Sequence, residues 1–277
     1  MKTRILSALI GVPLLLGVLY FYRYFPLSIP VLCSVVSLAC CIELLNAKKF
    51  FHHYALSVPC MLFASSLPFL IVKMYLVHTA VILFMLYLFV LIILANKTYK
   101  FDDAAYILTA VGFSSFGLSS LSGMEMHNER KYCFYIVLCL VIAWVSDGGA
   151  YFVGRSFGKR KLCPEISPKK TVEGAIGGVI IGVIGSVIDA LVFEYMIFNG
   201  KAHINMMVIV IVAMVGSMLS IVGDLTFSLI KRSCNVKDYG NVIPGHGGLL
   251  DRCDSIIMVA SFVYVVHLYF PLISYSY

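Results

Sequence analysis

Charge is what this sequence has least of. Only 13% of its 277 residues are Asp, Glu, Lys or Arg, against ~25% in an ordinary soluble domain. A disordered chain needs high charge and low hydrophobicity, so disorder is excluded. The set AVILMFWYC reaches 61% and the mean hydropathy is +0.95. A soluble globule of this length has too little interior to hide so much apolar surface. Alternating apolar and polar residues, the mark of an outer-membrane barrel strand, are missing. CxxC pairs are also missing. The nine cysteines are an odd number and lie mostly inside apolar runs, so neither a zinc site nor a disulfide framework is expected. What remains is an all-α, polytopic integral membrane protein.

Nine candidate spans are present: Ile5–Tyr22, Leu27–Leu45, Tyr54–Val72, Thr79–Ala95, Ala104–Leu121, Tyr132–Val153, Gly174–Phe198, Ile204–Val222 and Ser255–Ile273. Each is close to the ~20 residues that cross a bilayer core. A single helix over 54–95 would be about 63 Å long, roughly twice the core, so the third and fourth spans read as a hairpin. The first span ends in Tyr20, Phe21 and Tyr22 rather than small residues, and reads as an uncleaved helix. Residues 1–131 then form N-terminal transmembrane helices. Residues 132–277 form a C-terminal catalytic region with polar loops 154–173 and 223–254.

The net charge is +7. With the N-terminus inside, 16 of the 21 Lys and Arg fall on the inner side, as the positive-inside rule expects. Both polar loops then face the cytoplasm, toward anionic lipid or a polyphosphate rather than nucleic acid. Gly178 and Gly182 form a GxxxG pair, a close-packing signal.

Acids inside apolar spans mark function or helix contacts. Glu43 and Glu194 lie near span ends, where they can reach the interface. Asp189, inside the seventh span, reads as a helix–helix contact. Asp147 ends an apolar run and precedes Gly148-Gly149, which points to a site. If the eighth span continues as a helix to Arg232, Asp224, Ser228 and Lys231 fall at i, i+4 and i+7 on one face. Asp251 and Asp254, at i and i+3, share a face at the start of the ninth span. Carboxylates on helix ends suit Mg²⁺, which takes one or two of them plus phosphate oxygens and water. Lys231, Arg232, Lys237 and Arg252 stand ready for phosphate charge. Gly245, Gly247 and Gly248 can bring backbone N–H groups to an anion. Ser167, Lys170 and Thr171, in the run Ser167-Pro-Lys-Lys-Thr171, add hydroxyls and ammonium groups.

Other motifs fail. Residues 154–160 are one residue short of a P-loop and lack its Ser/Thr. Asp147-Gly148-Gly149-Ala150 begins like a CDP-alcohol phosphatidyltransferase motif without the Ala-Arg pair that follows. Asp102-Asp103 lacks the third acid of a prenyl-diphosphate site.

Residues 228–254 resemble the signature of the phosphatidate cytidylyltransferases, also called CDP-diacylglycerol synthases. The matching positions are Ser228, Ile230, Lys231, Arg232, Lys237, Asp238, Gly240, Ile243, Pro244, His246, Gly247, Gly248, Leu249, Asp251, Arg252 and Asp254. A second block, from Asp147 to Gly177 with Ser-Pro-Lys-Lys-Thr-x-Glu-Gly, is also similar to this family. Cys253 replaces an aliphatic residue or Thr, and Gly148 a Ser or Thr.

The resemblance implies transfer of a cytidylyl group from CTP to phosphatidic acid, giving CDP-diacylglycerol and pyrophosphate. It implies Mg²⁺ on acids matching Asp224 and Asp251, with room for K⁺ beside it, and a homodimer. Asp224, Asp251, Lys231, Arg252 and Asp254 are then the catalytic candidates. Ser167, Lys170, Thr171, Ser228, Arg232, Lys237, His246, Gly247 and Gly248 are the phosphate-binding candidates. Asp147 and Asp238 are further ligand candidates. The expected location is a bacterial cytoplasmic membrane, with the site on the cytoplasmic face. The competing readings are an ion-coupled transporter using the intramembrane acids and another lipid-linked nucleotidyltransferase. The missing inverted repeat and the basic residues around the acids weigh against the transporter.

Overall fold

The computed structural model describes residues 17–22, 24–124, 129–240, 247–270 and 272–275. Among them, seven helices are long and apolar enough to cross a membrane. We number the helices α1 (Ser28–Ala47), α2 (Tyr54–Leu70), α3 (Met74–Leu94), α4 (Phe101–Gly123), α5 (Lys131–Phe157), α6 (Val172–Ile197), α7 (Met206–Ser233) and α8 (Leu250–Tyr269). The seven are 20 to 28 residues long, or about 30–42 Å at 1.5 Å per residue. At 17 residues α2 is shorter than the rest, and it carries Pro59 and Pro68 inside it. Among the described residues there are thus seven spans and one short helix, where nine spans are expected over the whole chain. Residues 5–16 of the expected Ile5–Tyr22 span lie outside them.

Two boundaries move. The eighth span does not stop at Val222, because α7 runs on to Ser233. The ninth does not wait for Ser255, because α8 begins at Leu250, and Ile273 belongs to a strand. The expected loop 223–254 shrinks to the stretch 234–249. Asp224, Lys231, Asp251 and Asp254 are thereby held on helices rather than in a loop. The fold is also not wholly helical. Strands β1 (Lys161–Cys163) and β2 (Ser167–Thr171) form an antiparallel ribbon, with Lys161 opposite Thr171. Strands β3 (Ala202–Ile204) and β4 (Ile273–Tyr275) form a second. All nine cysteines are free.

The molecule has two compact units. One gathers Met1–Gly123 and Ile230–Cys253, the other Met124–Leu229 and Asp254–Tyr277. In the first, α3 leaves Ile82, Leu83, Leu86, Ile93 and Leu94 exposed. Apolar residues in such number require lipid rather than water around the helix.

In the second unit, α5 and α6 meet along a glycine seam. A methyl on Gly178 would stand 2.8 Å from the Ser146 carbonyl oxygen and 2.9 Å from the Ala150 Cβ. One on Gly182 would collide with the Ser217 side chain, and one on Gly177 would lie 2.5 Å from the Val153 methyls. The expected GxxxG contact is present, and Gly174 and Gly177 extend it. A π-helical turn at Val141–Val145 precedes Asp147. Its extra residue per turn resets which face of α5 carries that acid.

Candidate active site

In the second unit, the ribbon β1–β2 is pinned at its base. Glu173, in the first turn of α6, accepts the backbone N–H groups of Lys159 at 3.0 Å and Arg160 at 3.2 Å. Thr171 caps α6, its Oγ1 accepting the Gly174 N–H at 3.1 Å. Gly154 and Gly158 fit because each lies where a methyl would meet the Thr171 side chain. With both ends tied, β2 carries Lys170 to Asp224 on α7, with Nζ 2.6 Å from Oδ2. The other carboxylate oxygen of Asp224 accepts the Ser228 hydroxyl at 3.2 Å, one turn along the helix. This confirms the i, i+4 reading.

A second acid lies in the same unit. Asp147 accepts hydroxyls from Ser220 on α7 at 3.2 Å and Ser255 on α8 at 2.7 Å. Asp147 and Asp224 are close enough to repel electrostatically, and Lys170 offsets both. The two serines were not singled out in the sequence, because a serine in an apolar helix is more often a packing residue.

In the first unit, Lys231 Nζ lies 2.7 Å from Asp251 Oδ1. Both side chains are largely buried, 12% and 8% exposed, so solvent screens the pair little. Asp251 Oδ2 accepts two backbone N–H groups, Tyr239 at 3.1 Å and Gly248 at 3.0 Å. The Lys231 ammonium also stands 5.6 Å from the centre of the Tyr239 ring, within cation–π range. The Gly248 N–H, expected to meet a phosphate, is thus directed to Asp251. Gly247 has φ +84°, and a methyl there would stand 3.2 Å from Asp251 Oδ2.

Glu43 corrects the interface reading. It is 3% exposed, and its two oxygens accept the N–H groups of Leu249 and Leu250, both at 2.8 Å. Glu194 is also turned inward, accepting the Ile204 N–H at 3.1 Å. Asp189 Oδ2 has no hydrogen-bond partner, so no helix–helix hydrogen bond forms at that oxygen.

The remaining candidates are spread. Arg232, Lys237, Asp238 and Arg252 are exposed. Asp254 is buried, its Oδ1 accepting the Ser255 N–H at 2.8 Å. Ser167 is half-buried on β2. His246, with Gly245, lies outside the described residues.

Among the described residues no three or more His, Cys, Asp or Glu side chains cluster as a metal cage. Mg²⁺ does not require one, since one or two carboxylates with water and substrate phosphates complete its shell. Asp224 and Asp251 each already place a cation, a lysine ammonium, on a carboxylate oxygen. Hard oxygen donors that hold a cation are the right donor class for Mg²⁺.

Apolar surface adjoins these charges in the second unit. Leu162 on β1, Ala175, Ile176 and Val179 on α6, and Met218 and Ile221 on α7 line a groove of about 290 Å³.

Known proteins resemble this chain in sequence. The phosphatidate cytidylyltransferase of Bacillus subtilis (strain 168) is 40% identical over 173 residues, 62% of this chain and 61% of that protein. The phosphatidate cytidylyltransferases of Staphylococcus epidermidis (strain ATCC 12228) and Staphylococcus aureus (strain COL) are 38% and 37% identical over 167 residues, 60% of each chain. The matched part is thus about three fifths of the length of these relatives. The sequence profile described as the cytidylyltransferase family matches residues 2–270, and the chain belongs to that family.

Proposed function

We propose that the protein is a phosphatidate cytidylyltransferase. A phosphate oxygen of phosphatidate attacks the α-phosphorus of CTP. The bond between the α-phosphorus and its bridging oxygen breaks, and pyrophosphate leaves with that oxygen. The nucleophile is already an anion, so no general base is called for. The observation that carries the reading is the pairing of lysines with acids at Lys170–Asp224 and Lys231–Asp251. It occurs in a chain whose named relatives carry that activity.

Positioning and charge neutralisation supply most of the catalysis in such a transfer. Lys170 and Lys231 are held by carboxylates, so their ammonium groups need little reordering when phosphates arrive. Arg232, Lys237 and Arg252, all exposed, are placed to draw in CTP. Ser228 and Ser167 are hydroxyl donors to phosphate, and Thr171 keeps the ribbon in place. Asp147 and Asp238 remain ligand or orienting candidates, and His246 a phosphate-binding one.

Mg²⁺ is the metal proposed, with Asp224 in one unit and Asp251 in the other as candidate carboxylate ligands, and it would offset charge on the phosphate oxygens. K⁺ is an accompanying ion in the proposal. The groove beside Leu162 and Met218 suits an acyl chain, so the lipid enters from the bilayer and CTP from the cytoplasm. The bias of basic residues in the sequence supports a cytoplasmic face for the site, and a homodimer is the assembly proposed.

The test is the product. Protein purified in detergent is expected to make CDP-diacylglycerol and pyrophosphate from CTP and phosphatidate, and to stop when EDTA removes the metal. Ion flux in liposomes without CTP turnover would instead support a transporter.

A further inference from the structure

The first turn of α8 has an unusual cap. The leading N–H groups of a helix have no partner within it, and a carboxylate there also meets the positive end of the helix dipole. Here three successive N–H groups are divided between two acids. Gly248 donates to Asp251 Oδ2, while Leu249 and Leu250 donate to Glu43. Glu43 comes from α1, 206 residues earlier in the chain than Leu249. The turn is shaped for it. A methyl on Gly248 would stand 2.6 Å from Glu43 Oε2, and one on Gly240 would stand 3.0 Å from Oε1.

We infer that Glu43 is a positioning residue for Asp251, a role that rests on the reading of Asp251 as an active-site acid. Leu249 and Leu250 need acceptors, and Asp251 carries the adjoining carboxylate. With Glu43 in place, both donors are satisfied and Asp251 is left to Tyr239, Gly248 and Lys231. Without Glu43, the two orphaned N–H groups draw Asp251 toward the helix axis. It then releases the Tyr239 N–H and the Lys231 ammonium. Glu43 thus sets the orientation of Asp251 without touching substrate.

The experiment uses the full chain in detergent, as wild type, Glu43→Gln and Glu43→Ala. Amide hydrogen exchange is followed without nucleotide, lipid or metal. A cap of α8 alone would lower protection only at Leu249 and Leu250. Positioning of Asp251 predicts that Tyr239, outside the helix, also loses protection, by about tenfold or more for a lost charge-assisted bond. In steady-state turnover with CTP and phosphatidate, kcat is expected to fall by about tenfold or more, with KM for CTP little changed.

Glu194→Gln is the control. It also removes a buried carboxylate from a backbone N–H, and it should leave kcat unchanged. Unaltered Tyr239 exchange in folded Glu43→Gln overturns the inference, as does a kcat loss matched by Glu194→Gln. If the wild type makes no CDP-diacylglycerol, the proposed activity falls, and Tyr239 exchange still decides the role of Glu43.

Discussion

Replacing Asp251 by Asn tests the buried pair with Lys231. The carboxylate has one oxygen on the Lys231 ammonium at 2.7 Å and the other on two backbone N–H groups. An amide has one oxygen, so it can serve the ammonium or the backbone, and its NH₂ then faces donors on the other side. Either way Lys231, 12% exposed, loses a full counter-charge. Breaking a buried pair from one side costs about 3–5 kcal/mol. That corresponds to a fall of roughly 10 °C in melting temperature. Lys231→Met should cost less, because Asp251 keeps both backbone donors. The double variant Lys231→Met/Asp251→Asn should be more stable than Asp251→Asn alone, since it leaves no unpaired buried charge. Thermal unfolding in detergent, read for all three variants, gives the comparison. Asp251→Asn protein that remains folded should also be without turnover. The reasoning is refuted if Asp251→Asn melts with the wild type, or if the double variant loses the sum of the single losses.

Gly178→Val should lower stability by about 1–3 kcal/mol, read by thermal unfolding; its Cβ meets the Ser146 carbonyl oxygen and the Ala150 Cβ. Thr171→Ala removes the cap of α6 and should cost about 1 kcal/mol in the same assay, while Thr171→Ser keeps most of it. Lys170→Met should lower turnover by about 10²-fold or more, and Lys170→Arg should restore only part, because a planar fork does not replace a point charge.

The chemistry of the candidate site was readable where it depends on spacing within one element. Asp224 and Ser228 are one helical turn apart, so their contact follows once α7 is known to continue. Lys231 and Asp251 are both legible in the sequence, but their pairing is not, because a separation of 20 positions leaves many arrangements open. The stretch 154–173, which contains the ribbon, reads as a loop in sequence, since Lys and Pro are poor strand formers. Backbone pairing and the Glu173 anchor override that preference. In sequence Glu43 reads as an interfacial residue because nothing near it offers two N–H donors; Leu249 and Leu250 supply them from far along the chain.

By itself, the sequence determined that the chain is a helical membrane protein with basic polar segments, since hydropathy and charge sum over residues whatever the fold. It also picked out the acids and lysines on which the proposed mechanism rests. Only the tertiary structure decided which lysine meets which acid. It also decided that α7 and α8 carry those acids, and that Glu43 takes the N–H groups of Leu249 and Leu250. Those outcomes depend on hydrogen-bond acceptors brought close from distant parts of the chain, and a linear pattern does not contain that information.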